Sequence, residues 1–396
     1  MKFCISMATR FAGVFSVCLL TSPLFVGTLS AAGQKNQPSV KPQMNQIYSA
    51  MSAILPLAYD PAGFASTENA KAILESLTVL ESVSHELEMG KKNIPLDPFN
   101  RMISRGLKND LVAARQLFTD GEKNLSRDLV RGITGYCIGC HTSSSRGSWN
   151  FPGADVSAVK TLSPVDKATY LAAIRRYDES IIYYEKALIE LGSQQRSPDQ
   201  AQAWQLAVKR MLAIIIRVQD NPFLALELVS RIREEGSVPA ELLQASAQWR
   251  KSIKEWNEEG KPGAKRATRP VERARLLVSA GEKLASGNAP DAGLIPYLRA
   301  SRIVNELLRT KQLESDTGEL LYLGGLIAQK TDAINFWTLD LGYFEACIRF
   351  SPKSPLSKKC FEKYEVGLSS RKLTSSGRAP DIAADRVKEL RKLAGG

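Results

Sequence analysis

The sequence predicts an all-α protein built as a four-helix bundle followed by a run of helical hairpins. Three observations point there. Apolar residues recur at intervals of three and four, as in Ala70, Ile73, Leu74, Leu77, Leu80, Val83 and Leu87, the spacing of a helix with one buried face. Proline stands at the start of several such stripes, at Pro42, Pro98, Pro222 and Pro270, where its missing N–H costs a helix nothing. Short turn-forming stretches, such as Asp60-Pro61-Ala62-Gly63, Gly90 and Gly121, separate the stripes.

The first helix is expected to begin near Pro42 and to bury Ile47, Met51, Ile54 and Leu55, with Pro56 bending or ending it. The second begins near Thr67 and stops at Gly90. The third has Asp97 as its cap and Pro98 at its first position, then Ile103, Leu107, Leu111, Ala114 and Phe118. The fourth runs from about Leu125 through Leu129, Ile133 and Tyr136 and ends near Ser143 to Gly147. Short connections favour antiparallel neighbours, hence an up-down-up-down bundle.

That fourth helix ends in Cys137-Ile138-Gly139-Cys140-His141. Cys-x-x-Cys-His is the attachment signature of a c-type haem. Residues i, i+3 and i+4 share one helix face. Two thiols so spaced reach one porphyrin edge and form thioethers, and His141 becomes the proximal iron ligand. The competing chemistries fit less well. A thioredoxin-like motif needs a βαβ setting, and no strand alternation surrounds the run. A zinc site needs two more ligands, and the spare candidates are His85 and the distant Cys347 and Cys360.

The haem pentapeptide at the end of the last of four helices resembles the cytochrome c′, c-556 and b-562 class of four-helix cytochromes, over residues 42–147. The resemblance implies one covalent haem c at one end of the bundle, where a sixth iron ligand is sought. His85 lies about a turn from the end of the second helix, Met44 and Met51 lie in the first two or three turns of the first, and Met102 lies early in the third. In some members a Met from the first helix ligates iron, which points to Met51 or, less favourably, Met44. In cytochrome c′ itself the sixth position is open. His85, Met51 or no ligand therefore remain the alternatives, and the choice sets the potential and decides whether gases bind.

Lys2 and Arg10, then the apolar run Phe11 to Leu20 and small residues at Ser30-Ala31-Ala32, read as a secretory signal peptide over residues 1–32. The apolar run is short and interrupted for a membrane span, so an uncleaved anchor is the lesser alternative. Val17 before Cys18 argues against a lipoprotein box. Export to the bacterial periplasm agrees with the haem motif. Cys4 and Cys18 depart with the signal and two thiols are taken by haem. Cys347 and Cys360 remain, an even pair in an oxidising compartment, expected to form a disulfide across a helical hairpin. The other reading is two buried free thiols.

The formal charge is +12, yet residues 33–158 are close to neutral, so most of the excess falls on the C-terminal part, in runs such as Lys261 to Arg275 and Lys353 to Lys363. Nucleic acid does not fit the compartment. A basic exported surface suits anionic lipid headgroups, by peripheral contact, or an acidic redox partner, or is simply a solvated face.

The organisation expected is thus a signal at 1–32, a four-helix cytochrome domain at 33–155 and a helical domain at 156–396. Within the last, Ala168 to Leu188 resembles a tetratricopeptide (TPR) repeat, with small Ala168 in the first helix, Tyr177 at the hairpin and Ser180, Tyr184 and Ala187 along the second. Ser180 replaces the commoner Ala, and the first helix lacks its usual aromatic. Helices are expected at Trp204–Val218, Pro222–Glu234, Pro239–Asn257, Pro270–Ala285, Leu294–Leu313, Leu320–Ala333, Leu341–Phe350, Lys358–Gly367 and Ala383–Ala394, with a basic loop at Lys261–Arg269. Stacked hairpins hold protein segments; the alternative is a non-repetitive helical domain. No phosphate loop, zinc motif or nucleophile elbow appears there.

The functional expectation is a periplasmic monohaem cytochrome that carries electrons and docks a redox or scaffold protein through its helical domain. A haem-based gas binder or sensor and a scaffold with a structural haem are the alternatives. An enzyme is less expected: a peroxidase needs distal acid–base groups, for which His85 with Arg101 or Arg105 is the sole, thin candidate.

Overall fold

The computed structural model describes residues 41–89, 98–142, 159–192, 196–234, 238–260, 269–286, 289–309, 314–331, 334, 339–374 and 382–396. The signal segment, Gly90, the Asp97 cap, the linker at 143–158 and residues 261–268 of the basic loop lie outside this set. So do the side chains of 137–142. The described residues form one compact unit. Among the described residues the regular structure is entirely helical, with no strand. No helix among them is long and apolar enough to cross a membrane.

The first group comprises α1 (Lys41–Tyr59), the short α2 (Pro61–Ala65), α3 (Ala70–Met89), α4 (Pro98–Thr119) and α5 (Lys123–Thr142). Helix α3 packs against α1 and α4, α4 against α5, and α5 touches α1. Two local expectations change. Pro56 does not end α1, which continues to Tyr59. The missing N–H falls near the end of the helix, and the buried Ala58 and Tyr59 hold the final turn against the core. The Asp60-Pro61-Ala62-Gly63 turn is the start of α2, with Pro61 at its first position and Phe64 buried edge-on against Phe118, centroids 5.5 Å apart. The third helix starts at Pro98 as the sequence implies. Gly121, at φ +87°, closes it in the left-handed conformation that glycine adopts without strain.

Next come α6 (Pro164–Ala173), α7 (Tyr177–Glu190), α8 (Pro198–Ile214), α9 (Pro222–Glu234) and α10 (Ala240–Glu259). Helices α6 and α7 pack as a hairpin, and Ser180 of α7 donates to the Ala168 carbonyl at 2.7 Å, which explains a hydroxyl at a buried, close-packed position. Ser197 and Gln200 form a reciprocal capping box at the start of α8. The expected single helix to Val218 changes character midway: α8 ends at Ile214 and a π-helical turn, Ile215–Gln219, follows. The chain ends with α11 (Pro270–Ala285), α12 (Leu294–Arg309), α13 (Thr317–Lys330), α14 (Asp340–Phe350), α15 (Pro355–Thr374) and α16 (Ile382–Ala394). Cys347 of α14 and Cys360 of α15 are joined at disulfide distance, 2.04 Å.

Two apolar cores result. One holds Tyr184, Trp204, Trp249 and Ile253 and unites α6–α10 with the first turns of α12. The other begins at Ile47, fills the space among α1–α5, and continues without a break through α11–α16 to Ala394. Helix α4 is the bridge: it packs on α12 and α14, with Arg309 over the Phe99 ring at 5.0 Å. Helix α6 joins both cores: Ala168 and Ala172 lie in the one with Trp204, and Tyr170 in the one with Ile47, where its ring meets Tyr59 of α1 edge-on at 5.9 Å.

Candidate functional site

The Cys137–His141 run occupies the last two turns of α5, and the backbone is helical through Thr142. Cys137, Cys140 and His141 therefore stand at i, i+3 and i+4 of a continuous helix, one face of it. The chemistry of this donor set, two thiols and an imidazole at that register, fits a covalently attached haem.

What fixes that end of α5 is visible one residue earlier. Tyr136 is buried and its hydroxyl donates to the Asp110 carboxylate of α4 at 2.5 Å. Its ring lies on Gly106, where a Cβ would stand 2.6 Å from Tyr136 Cε1. Further back Ser126 donates to the Ala114 carbonyl at 2.8 Å. These contacts set α5 antiparallel to α4, so the residues beyond Tyr136 run alongside the first turns of α4, before Gly106. Sequence reasoning did not assign Gly106 or Asp110 to the site. An isolated glycine inside the Ile103–Leu107 stripe is the signal that could have found them, since a helix-interior glycine usually marks close packing.

The other face of α4 carries α3. Glu88 accepts from Lys108 at 2.8 Å and Arg105 at 3.2 Å, and Glu81 accepts from Arg115 at 2.5 Å. Partial burial pushes the Glu88 carboxyl up, but the Lys108 and Arg105 hydrogen bonds outweigh it and hold the group below its ordinary value. Arg105 also reaches Glu345 of α14 at 3.8 Å.

These pairs place the candidate sixth ligands. His85 is exposed and sits between Glu81 and Glu88, opposite the 108–115 stretch of α4. Relative to the motif it is set back by roughly two turns, ~10 Å along α4. Met51 is buried in the core of α1 at 5% exposure, and Met44 is half-buried against the same core. Met102 is buried in the first turns of α4, beside α14, where a Cβ on Gly342 would lie 3.9 Å from its Cγ. Tyr59, at the end of α1, has its phenol pushed up to about 12 by burial, against the opposing pull of Arg131, whose guanidinium lies 4.9 Å from its ring centroid.

Among the described residues, no group of three or more His, Cys, Asp or Glu side chains could hold a metal ion. The side chains of 137–142 are not among them. No protein-family model, no curated protein and no solved structure matches the chain.

Proposed function

We propose that this chain is an exported monohaem c-type cytochrome that passes electrons, and that its later helices dock it to a protein partner. The observation that carries the reading is the register of Cys137, Cys140 and His141 in a helix that continues through Thr142. Cys137 and Cys140 would hold the porphyrin by thioethers and His141 would ligate its iron. When bound, haem supplies an iron that cycles between the ferrous and ferric states.

The rest of the work falls to this chain's own residues. Tyr136, Asp110 and Gly106 hold the end of α5 against α4. The buried apolar side chains of α1 and α4 exclude water and lower the local dielectric, which tunes a redox potential. The arrangement of α1, α3, α4 and α5 supports the four-helix cytochrome reading of residues 33–155, and the α6–α7 hairpin supports the TPR-like reading of 156–396. The signal segment 1–32 supports a periplasmic location, where a c-type haem is attached and a disulfide between Cys347 and Cys360 persists.

Burial favours Met51 over His85 as the internal sixth ligand. A second reading, a haem that binds a small gas at an open sixth position, draws on the exposure and setback of His85. One experiment decides between them: the optical spectrum of the protein from a host with c-haem maturation, reduced and then exposed to carbon monoxide. The electron-carrier reading expects a low-spin reduced spectrum indifferent to carbon monoxide. It also expects Met51→Leu, and not His85→Ala, to convert that spectrum to high spin. A high-spin spectrum that shifts with carbon monoxide supports the gas-binding reading. Absence of haem bands overturns both.

A further inference from the structure

Away from the motif, the π-helical turn after α8 meets α10, α11 and α12 around a cavity of about 320 Å3. That is the lower end of the range for small-molecule sites. Its wall combines Arg273, Arg299 and Arg302 with Asp220, Glu259 and the face of Trp256. Arg299 is the innermost, at 7% exposure, with its guanidinium 5.4 Å from the Trp256 ring centroid.

The charges in this wall are unevenly placed. Arg299 Nη2 donates to Glu259 Oε2 at 2.7 Å, and Arg273 Nη2 donates to the same oxygen at 2.6 Å. One carboxylate thus serves two guanidinium groups. Arg302 pairs with Asp220 at 2.7 Å. Glu306 also lines the opening but stands exposed at its rim. The lining thus holds three guanidinium groups and three carboxylates, but Asp220 and Glu306 both stand exposed at the rim, so inside the cavity Arg273 and Arg299 share the single carboxylate of Glu259. Each guanidinium has five N–H donors in one plane, a match for oxyanions, and only some are used by these pairs. Burial draws the Arg299 pKa down, against the opposing pull of Glu259.

The backbone at this place is also unusual. Asp220 has φ +51°, in the left-handed region, and it ends the π-helical turn that contributes Ile216 to the wall. Such turns and such strained residues gather at functional sites. Next to the cavity a trough of about 340 Å3 shares Glu259, Arg273 and Arg299, has the exposed Glu255 at its edge, and is walled by Leu276, Leu277 and Pro296. Cations at one end and apolar side chains at the other suit an amphipathic anion.

We infer that this cavity binds the oxyanion group, phosphate or carboxylate, of a small ligand. The proposal is independent of the haem.

The test is a calorimetric titration of the full chain with inorganic phosphate, citrate and octanoate at one ionic strength, with chloride as control and the thermal midpoint followed in parallel. Saturable binding of at least one anion is expected, together with a rise in midpoint. In Arg302→Gln and in Arg273→Gln that affinity is expected to fall roughly tenfold or more, the loss of a charge-assisted hydrogen bond. Arg299→Gln is a poorer probe because Arg299 is buried and paired. Binding of phosphate identifies a phosphate-bearing ligand; binding of octanoate alone identifies a carboxylate whose tail lies in the trough. No saturable binding beyond chloride, or undiminished binding in both variants, overturns the proposal. Haem content is not read, so the outcome is separable from the cytochrome reading.

Discussion

Tyr136 and Asp110 meet at 2.5 Å across the α4–α5 interface, one residue before the Cys137–His141 run. The phenol donates to an ionised acceptor, a stronger bond than one between neutral groups. The ring beneath it lies on Gly106, which has no Cβ to obstruct it. This pair sets where the end of α5 stands.

Adding a methyl at Gly106 forces the Tyr136 ring aside. Gly106→Ala is expected to destabilise the fold by about 1–3 kcal/mol through overpacking, despite alanine's better helix propensity. Tyr136→Phe keeps the packing and loses the bond to Asp110, at about 1–2 kcal/mol. Urea unfolding of both variants checks the order, with the larger loss expected in Gly106→Ala.

Glu345 of α14 is a buried carboxylate surrounded by guanidinium groups. Arg349 of its own helix lies at 2.8 Å, Arg386 of α16 hydrogen-bonds its other oxygen, and Arg105 of α4 lies at 3.8 Å. One acid therefore ties the early helices to the last ones. Removing it leaves cations facing one another in a partly dry place. Glu345→Ala is expected to cost about 3–5 kcal/mol. Added salt is expected to rescue it only weakly, since a buried pair is poorly screened. A denaturant midpoint indistinguishable from that of the unaltered chain would remove Glu345 from this role.

The Cys347–Cys360 disulfide closes a short loop between α14 and α15. Such a link stabilises mainly by restricting the unfolded chain, at about 2–4 kcal/mol. Reduction, or Cys347→Ala with Cys360→Ala, is expected to lower the thermal midpoint by several degrees. The helical content at room temperature should remain, because both residues sit in a core that packs on many other side chains.

Acid is expected to weaken the fold from a definite point. Glu88 and Glu259 are held below their ordinary 4.5 although burial opposes this, because hydrogen bonds from Lys108 and Arg105, and from Arg299 and Arg273, outweigh it. Glu389 is held down chiefly by its bond from Arg349. A carboxyl whose folded pKa is depressed binds fewer protons folded than unfolded. Its stabilisation is complete above 4.5 and fades as the pH falls through the depressed folded value. At the other extreme, burial pushes the Tyr59 and Tyr297 phenols up to about 12, so the unfolded chain ionises first and stability declines above the ordinary value of 10. Urea midpoints measured across roughly pH 3 to 11 should form a plateau with both shoulders.

The helical class and most helix starts were legible in the sequence, because proline and apolar spacing are local signals. Pro98, Pro222 and Pro270 open helices where they were expected to. The run past Pro56, the π-helical turn at Ile215 and the short α2 were not legible. Each depends on what packs around it, as Tyr59 does on Tyr170 and Arg131. The long reach of the core that begins at Ile47 was hidden for the same reason: nothing in the spacing of Phe99, Met102 and Arg105 says that they face α12 and α14. The helical register of the Cys137–His141 run is the opposite case, since it follows from local sequence and the backbone is helical through Thr142. The cavity at Arg299 was invisible, because its members come from four distant segments.

The measurement that tests the central claim most directly is a search for haem that stays with the polypeptide. The protein is produced with c-haem maturation, extracted with acidic acetone and examined as its reduced pyridine complex. The account predicts that one haem per chain resists extraction and shows a c-type spectrum, and that Cys137→Ala with Cys140→Ala abolishes this. Complete extraction of the colour, or retention of covalent haem in the double variant, would contradict it.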